Sequence, residues 1–89
     1  MKKAFEAIYD GHRIRVENRW FGGERLYVDG ELQDENIGLA LRATLYGNLK
    51  GNNNESQKIK VTIGGNFNIH CKIFVDHVLV PSYQIKTSR

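Results

Sequence analysis

Three histidines and one cysteine are the residues of this chain that suit metal binding or covalent catalysis. Imidazole and thiolate groups are zinc ligands, so His70, Cys71 and His77, with His12 as a fourth ligand, form a candidate zinc site. Neighbouring residues of a strand point to opposite faces, however, so His70 and Cys71 cannot share one ion without a bulge. We therefore expect no metal site, a solvent-facing His70 and a buried, unreactive Cys71.

Cys71 is also the candidate nucleophile. A reactive thiol needs a base on the same face and an electropositive, partly open pocket. Its neighbours in the alternation, Ile69 and Ile73, place the thiol in the core instead. The carboxylates show no spacing typical of a paired acid and base, and the Gly-Gly pairs lack the helix and the Lys-Ser/Thr of a phosphate loop. The sequence predicts no catalytic residue, no cofactor and no enzyme.

Basic residues on outward strand positions form a candidate binding surface. They are Arg13, Arg15, Arg42, Lys58, Lys60 and Lys72. Trp20, Phe21, Tyr27 and Phe74 are candidates for the stacking platforms that small β-barrels offer to single strands. The net charge of only +3, and the use of Lys, Arg and Thr to block aggregation of sheets, argue for a plain solvent face. Binding of single-stranded nucleic acid or another polyanion is therefore the second hypothesis.

Large aromatic residues give the leading hypothesis. Trp20 and Phe21 are adjacent in a Gly-flanked corner, so one can pack in the core while the other anchors a partner or caps the sandwich. Phe74 interrupts the polar face of its strand, which indicates that part of that face is covered. We expect a non-catalytic binding or assembly module that contacts a protein partner or a second copy, as a homodimer, through these three residues.

Strands must position all of these residues. Residues 67–75 have apolar side chains at odd positions and, except at Phe74, polar ones at even positions. A period of two indicates a strand with one buried face. Similar alternations, separated by Asp-Gly and Gly-Gly pairs that favour tight turns, run through most of the chain. The sequence predicts about seven or eight short antiparallel strands in a β-sandwich or a partly open β-barrel.

Residues 35–46 are ambiguous. Apolar residues occupy the odd positions from Leu39 to Leu45, as in a strand. Ala and Leu are also good helix formers, and residues 34–36 are able to cap a helix. The sustained alternation and Gly38 favour a strand, and a helix is the alternative.

Two segments resemble each other. Residues 25–32 read Arg-Leu-Tyr-Val-Asp-Gly-Glu-Leu, and residues 72–79 read Lys-Ile-Phe-Val-Asp-His-Val-Leu. Each is a strand ending in Val-Asp, a tight turn and a return strand. A shared hairpin pattern explains this similarity as well as a duplication does.

Length and composition indicate one globular domain over residues 1–89, with 40% hydrophobic and 26% charged residues. A single cysteine excludes an intramolecular disulfide. Together with the lack of a signal-peptide pattern or of an apolar stretch that could span a membrane, this predicts a cytoplasmic protein without membrane contact.

Several of these segments resemble the Fas apoptosis inhibitory molecule family. In that family a strand of the form Ile-x-Val/Phe-Glu leads through a Gly-containing turn into a Val-Asp-Gly hairpin, and later segments repeat the hairpin and end at Pro. The matching segments here are residues 14–17, 23–30, 63–66, 71–72, 75–76 and 80–81. The resemblance covers about half of the chain. Family members typically carry two related β domains, whereas this sequence has room for one. It implies a β-sandwich with a non-enzymatic role in protein interaction.

Overall fold

The computed structural model describes residues 2–19, 22–37, 42–50, 55–65 and 68–85. These residues form nine strands. They are β1 (Lys2–Tyr9), β2 (His12–Arg19), β3 (Gly23–Val28), β4 (Glu31–Asn36), β5 (Arg42–Lys50), β6 (Ser56–Gly64), β7 (His70–Val75), β8 (Val78–Val80) and β9 (Tyr83–Ile85).

The strands make two antiparallel sheets. The five-stranded sheet has the order β4-β3-β2-β1-β9, and the four-stranded sheet has the order β5-β6-β7-β8. The described strands do not close into a barrel. The all-β prediction is confirmed, and the β-sandwich is the form that the chain adopts.

The core lies between the two sheets. Ile14, Val16 and Leu26 of the five-stranded sheet and Val61 and Ile73 of the four-stranded sheet are fully buried. Each lies on the inward face of its strand, and strands β1, β2, β3, β5, β6, β7 and β8 all contribute buried apolar residues to the core. Truncating such a side chain to alanine typically costs about 2–5 kcal/mol, and the strand pattern seen in the sequence is therefore the pattern that holds the sheets together.

The structure corrects the start of one predicted strand and decides between strand and helix in another segment. Strand β7 begins at His70 and not at residue 67, since Asn68 lies in a bend and Ile69 has no regular structure. The preferred strand interpretation of residues 35–46 is confirmed for the described residues, since residues 35–36 belong to β4 and residues 42–46 to β5, and the alternative helix is wrong. Residues 38–41 lie outside the described part of the chain.

Cys71 lies at the margin of the core and not inside it. Both Cys71 and Ile69 are half-buried and pack against the core, while Ile73 is fully buried. His70 and Lys72 are exposed, as expected. The alternation predicted for this strand therefore holds, but the thiol is less deeply buried than its position in the pattern suggests.

The chain contains two meanders, β1–β4 and β5–β8, with the same strand order. In the first, the Asp29 N–H donates to the Arg13 carbonyl (2.9 Å) and Asp29 Oδ1 accepts the Arg13 N–H (3.0 Å). In the second, Asp76 makes the same two bonds with Lys58, at 2.8 and 3.0 Å. Both turns have positive φ at their two central residues, as in type I′ hairpins. The similar segments are thus also equivalent in structure.

Side chains of β4 cap the free edge of β5. The Tyr46 N–H donates to Asp34 Oδ2 (2.8 Å), and the Asn48 N–H donates to Gln33 Oε1 (2.9 Å). Between them, a Cβ on Gly47 would lie 3.0 Å from Gln33 Oε1. The contact satisfies edge groups that would otherwise be open to another strand, and it joins the two sheets along one side.

His12 joins the sheets at the end of this side. Its Nδ1 lies 2.7 Å from Asp29 Oδ2, and its Nε2 lies 2.8 Å from the Lys50 carbonyl oxygen. Both partners are acceptors, so the imidazolium, with a proton on each nitrogen, makes both bonds. The hydrogen bond to Asp29 raises the pKa of His12, and the same bond lowers the pKa of Asp29.

The stability of the fold is expected to decrease as the pH rises past 6.5, the ordinary pKa of histidine. Because the pKa of His12 is raised in the folded state, its contribution is complete below the ordinary value of 6.5 and is lost as the pH rises through the folded value. The Asp29 contribution has the opposite sense: it is present above 3.8 and is lost as the pH falls through the lowered value. Urea midpoints measured at a series of pH values on both sides of 6.5 give the dependence of stability on pH. This dependence should be mostly lost in His12→Gln and kept in the exposed control His70→Gln. Equal slopes in both variants would contradict the assignment.

Candidate anion-binding face

The outer face of the four-stranded sheet collects basic, hydroxyl and aromatic side chains. The strand register arranges them in three rows across the sheet. We call them the aromatic row (Tyr46, Lys60, Phe74, Leu79), the hydroxyl row (Thr44, Thr62, Lys72) and the end row (Arg42, Gly64, His70). Together with Lys58 they form what we call the basic face.

The four strands that carry the basic face contain no Asp or Glu. At the margin of the face, Asp76 in the β7–β8 turn accepts the backbone N–H of Lys58, and this bond lowers the pKa of Asp76. Lys60 and Lys72 lie further along the strands, among threonine and aromatic side chains. The centre of the face is therefore cationic.

A shallow depression of about 940 Å³ lies at the end of the basic face. Its lining includes Arg42, His70, Lys72 and the hydroxyls of Thr44 and Thr62, and no carboxylate. Hydroxyl and cationic donors around an open depression suit an anion such as phosphate.

The structure separates the six predicted basic residues into two groups. Arg13 and Arg15 lie on the outer face of the five-stranded sheet, where Arg13 Nε is 3.6 Å from Glu6 and Arg15 Nε is 3.0 Å from Glu17. A depression of about 620 Å³ there has a lining of mixed charge. The basic face carries the other four residues, Arg42, Lys58, Lys60 and Lys72.

Equivalent positions of the two meanders show why the two faces differ. Both meanders place basic residues on the outer face, but the carboxylates of the first meander are replaced in the second by uncharged side chains. The equivalent pairs are Arg13 and Lys58, Arg15 and Lys60, Arg25 and Lys72, Glu17 and Thr62, and Glu6 and Tyr46.

Of the three aromatic residues predicted to contact a partner, only Phe74 lies in the described part of the chain. Trp20 and Phe21 lie outside the described residues. Phe74 is half-buried and pairs across the strands with Lys60 and Leu79. Tyr46, which the sequence analysis did not select, is 60% exposed and pairs with Lys60. Its even position in the alternation of β5 is the signal that places it outside, but the pairing with Lys60 depends on a register that one sequence does not reveal.

The candidate zinc ligands do not come together. Among the residues that the structure describes, no group of three His, Cys, Asp or Glu is placed to hold one metal ion. Burial raises the pKa of Cys71 to about 12, so the thiol is protonated at neutral pH and is a poor nucleophile.

The described strands and turns include no helix that is long and apolar enough to cross a bilayer.

Comparison with protein-family models, with curated proteins and with solved structures finds no match to this chain. The resemblance to the Fas apoptosis inhibitory molecule family stays a prediction.

Proposed function

We propose that this chain is a non-catalytic module that binds a phosphate-bearing polyanion on its basic face. The observation that carries the proposal is the distribution of charge. Strands β5 to β8 hold five of the 13 Lys and Arg residues and none of the ten Asp and Glu residues, so the rest of the chain is net negative by two. Within the described strands, unbalanced positive charge is therefore concentrated on the four-stranded sheet.

The arrangement of the cations favours an extended partner over a small ion. Arg42, Lys60 and Lys72 stand on three different strands of one open sheet face. Such a surface attracts polyanions, and each phosphate that a cation neutralises releases counterions and adds to the affinity. A single small anion would engage only the depression and would leave most of the face unused.

Protein binding or homodimer formation through Trp20, Phe21 and Phe74 stays a second proposal. Among the described residues, its support is the exposed apolar surface of Leu79 beside the half-buried Phe74. Sedimentation over a range of concentrations tests it directly, since a dimer that is lost on Phe74→Ser would show that this surface joins two copies.

Neutralising two central cations should weaken polyanion binding strongly. In Lys60→Gln/Lys72→Gln, the loss of two phosphate contacts is expected to lower the affinity for a short oligonucleotide by about 100-fold at ~50 mM salt, and to reduce the slope of log affinity against log salt by ~1.5. Fluorescence anisotropy titrations at several salt concentrations measure both quantities.

The chain offers a control with the same change of net charge. Arg13→Gln/Arg25→Gln removes two cations that lie beside carboxylates on the other sheet, 3.6 Å and 3.2 Å away, so binding should stay within about threefold of the original value. Equal losses in the two double variants, or no salt-dependent binding by the unchanged protein, would overturn the proposal.

A further inference from the structure

Two rings stand in the aromatic row, on either side of a lysine. Tyr46 on β5 and Phe74 on β7 both pair with Lys60 on β6. Neighbouring strands are ~4.8 Å apart, so the two rings are separated by about 10 Å across the sheet. Holding one base between two rings needs about 7 Å, or two stacking distances of ~3.4 Å. The two rings therefore cannot hold the same base between them.

The hydroxyl row runs beside the aromatic row. Thr44, Thr62 and Lys72 lie two residues further along the same three strands, on the same face and about 6.7 Å away. The end row with Arg42 and His70 continues into the depression. A row of apolar surface is thus accompanied by a row of hydrogen-bond donors and cations, which is the arrangement that a chain of linked bases and phosphates requires.

The exposed apolar surface distinguishes between kinds of polyanion. Tyr46 and Leu79 are 60% and 56% exposed. A polyphosphate chain has no apolar surface to cover them, and a duplex keeps its bases stacked inside and presents phosphates to a flat surface. A single strand has free base faces for the rings and phosphates for the cations, and stacking of this kind is tolerant of sequence.

We infer, on the basis of the proposed function, that the polyanion is a single-stranded nucleic acid. Its bases stack on Tyr46 and Phe74, and its phosphates follow the hydroxyl row toward Arg42 and His70. The strand crosses β5, β6 and β7, and Lys60 contacts it between the two stacked bases.

The other sheet provides a comparison within the same molecule. Tyr27 is equivalent to Phe74 and pairs with Arg15, as Phe74 pairs with Lys60. In that row, however, Glu6 lies beside Arg15 and accepts a hydrogen bond of 3.0 Å from the Tyr83 hydroxyl. A carboxylate there repels phosphate, so the ring of Tyr27 is not expected to bind nucleic acid.

The test compares ligands and variants at one salt concentration. An unstructured oligothymidylate should bind at least tenfold more tightly than a duplex of the same length or inorganic polyphosphate. Tyr46→Leu should weaken the oligothymidylate by about 5- to 100-fold, as expected for the loss of one stacked base, and should leave the polyphosphate affinity and the salt slope unchanged. Tyr27→Leu is the matched control and should leave all three affinities unchanged.

The results separate this inference from the proposed function. If single strand, duplex and polyphosphate bind equally and Tyr46→Leu changes nothing, the single-strand inference is overturned while polyanion binding stands. If no polyanion binds, both fail. Tighter binding of polyglutamate than of oligothymidylate would instead indicate an acidic protein partner and overturn the inference. Tyr46 donates its backbone N–H to Asp34, and Tyr46→Leu keeps this bond, so the variant should fold. Phe74→Leu tests stacking on the second ring of the same row.

Discussion

Replacing Gly23 by alanine is expected to destabilise the fold by about 3–5 kcal/mol, because strain at an unfavourable φ adds to the cost of overpacking. Gly23 has φ +87, and a Cβ there would lie 1.9 Å from the carbonyl oxygen of Asn36. That oxygen is a backbone atom of β4, so the strand itself must move. The shift also disturbs the side chain of Asn36, which donates to the buried carboxylate of Glu24 at 3.0 Å. For a domain whose total stability is roughly 5–15 kcal/mol, such a loss leaves a substantial unfolded fraction.

Gly11 separates the two causes. Its φ of +78 is also positive, but nothing lies within 4 Å of a Cβ built on it. Gly11→Ala therefore adds backbone strain without a clash, and we expect a loss of only about 1–2 kcal/mol. Urea unfolding of both variants gives the two values. Equal losses would mean that the close approach of β3 and β4 near Gly23 does not constrain the fold.

Cys71 is expected to react with iodoacetamide about 30-fold more slowly in the folded protein than in the unfolded chain at about pH 8. Burial raises its pKa from 9.0 to about 12, which lowers the thiolate fraction at that pH by roughly a thousandfold. A more basic thiolate is intrinsically more nucleophilic, and this raises the reaction rate of each thiolate by about 30-fold. As the only cysteine of the chain, it gives an unambiguous signal by mass spectrometry.

The pH dependence of the reaction gives an independent check. In the folded protein the rate should rise about tenfold per pH unit well beyond pH 9, whereas in concentrated urea it should level off near the ordinary thiol pKa. A folded protein that reacts as fast as the unfolded chain would show an open thiol and would return Cys71 to the candidate nucleophiles.

Alternation and turn chemistry account for the part of the fold that was predictable from the sequence. The Asp-Gly pairs at positions 10 and 29 are hairpin turns with positive φ, as predicted. Strand β4 extends to Asn36 although its sequence does not alternate. Contacts with other strands stabilise β4 in place of an apolar face, because Gln33 and Asp34 accept hydrogen bonds from β5. Local sequence carries no record of such contacts with distant strands.

The candidate site was less predictable for the same reason. Arg13 and Arg15 alternate with core residues just as Lys58 and Lys60 do, so the sequence pattern makes them equal. What distinguishes them is a cross-strand neighbour, since Arg15 faces Glu6 whereas Lys60 faces Tyr46. The sequence identifies each outward cation. Which of them share the outer face of one sheet depends on how the strands pair.

The repeated meander explains how one molecule can have two unlike surfaces. Two identical copies of a single meander, packed core to core, would carry the same residues on both exterior sides, and any acid added to one side would appear on the other. In this chain the two meanders are encoded separately, so Glu17 and Thr62 can occupy equivalent positions. Covalent linkage therefore removes the symmetry constraint and leaves one side self-neutralised while the other accumulates positive charge, which gives the molecule a defined electrical polarity.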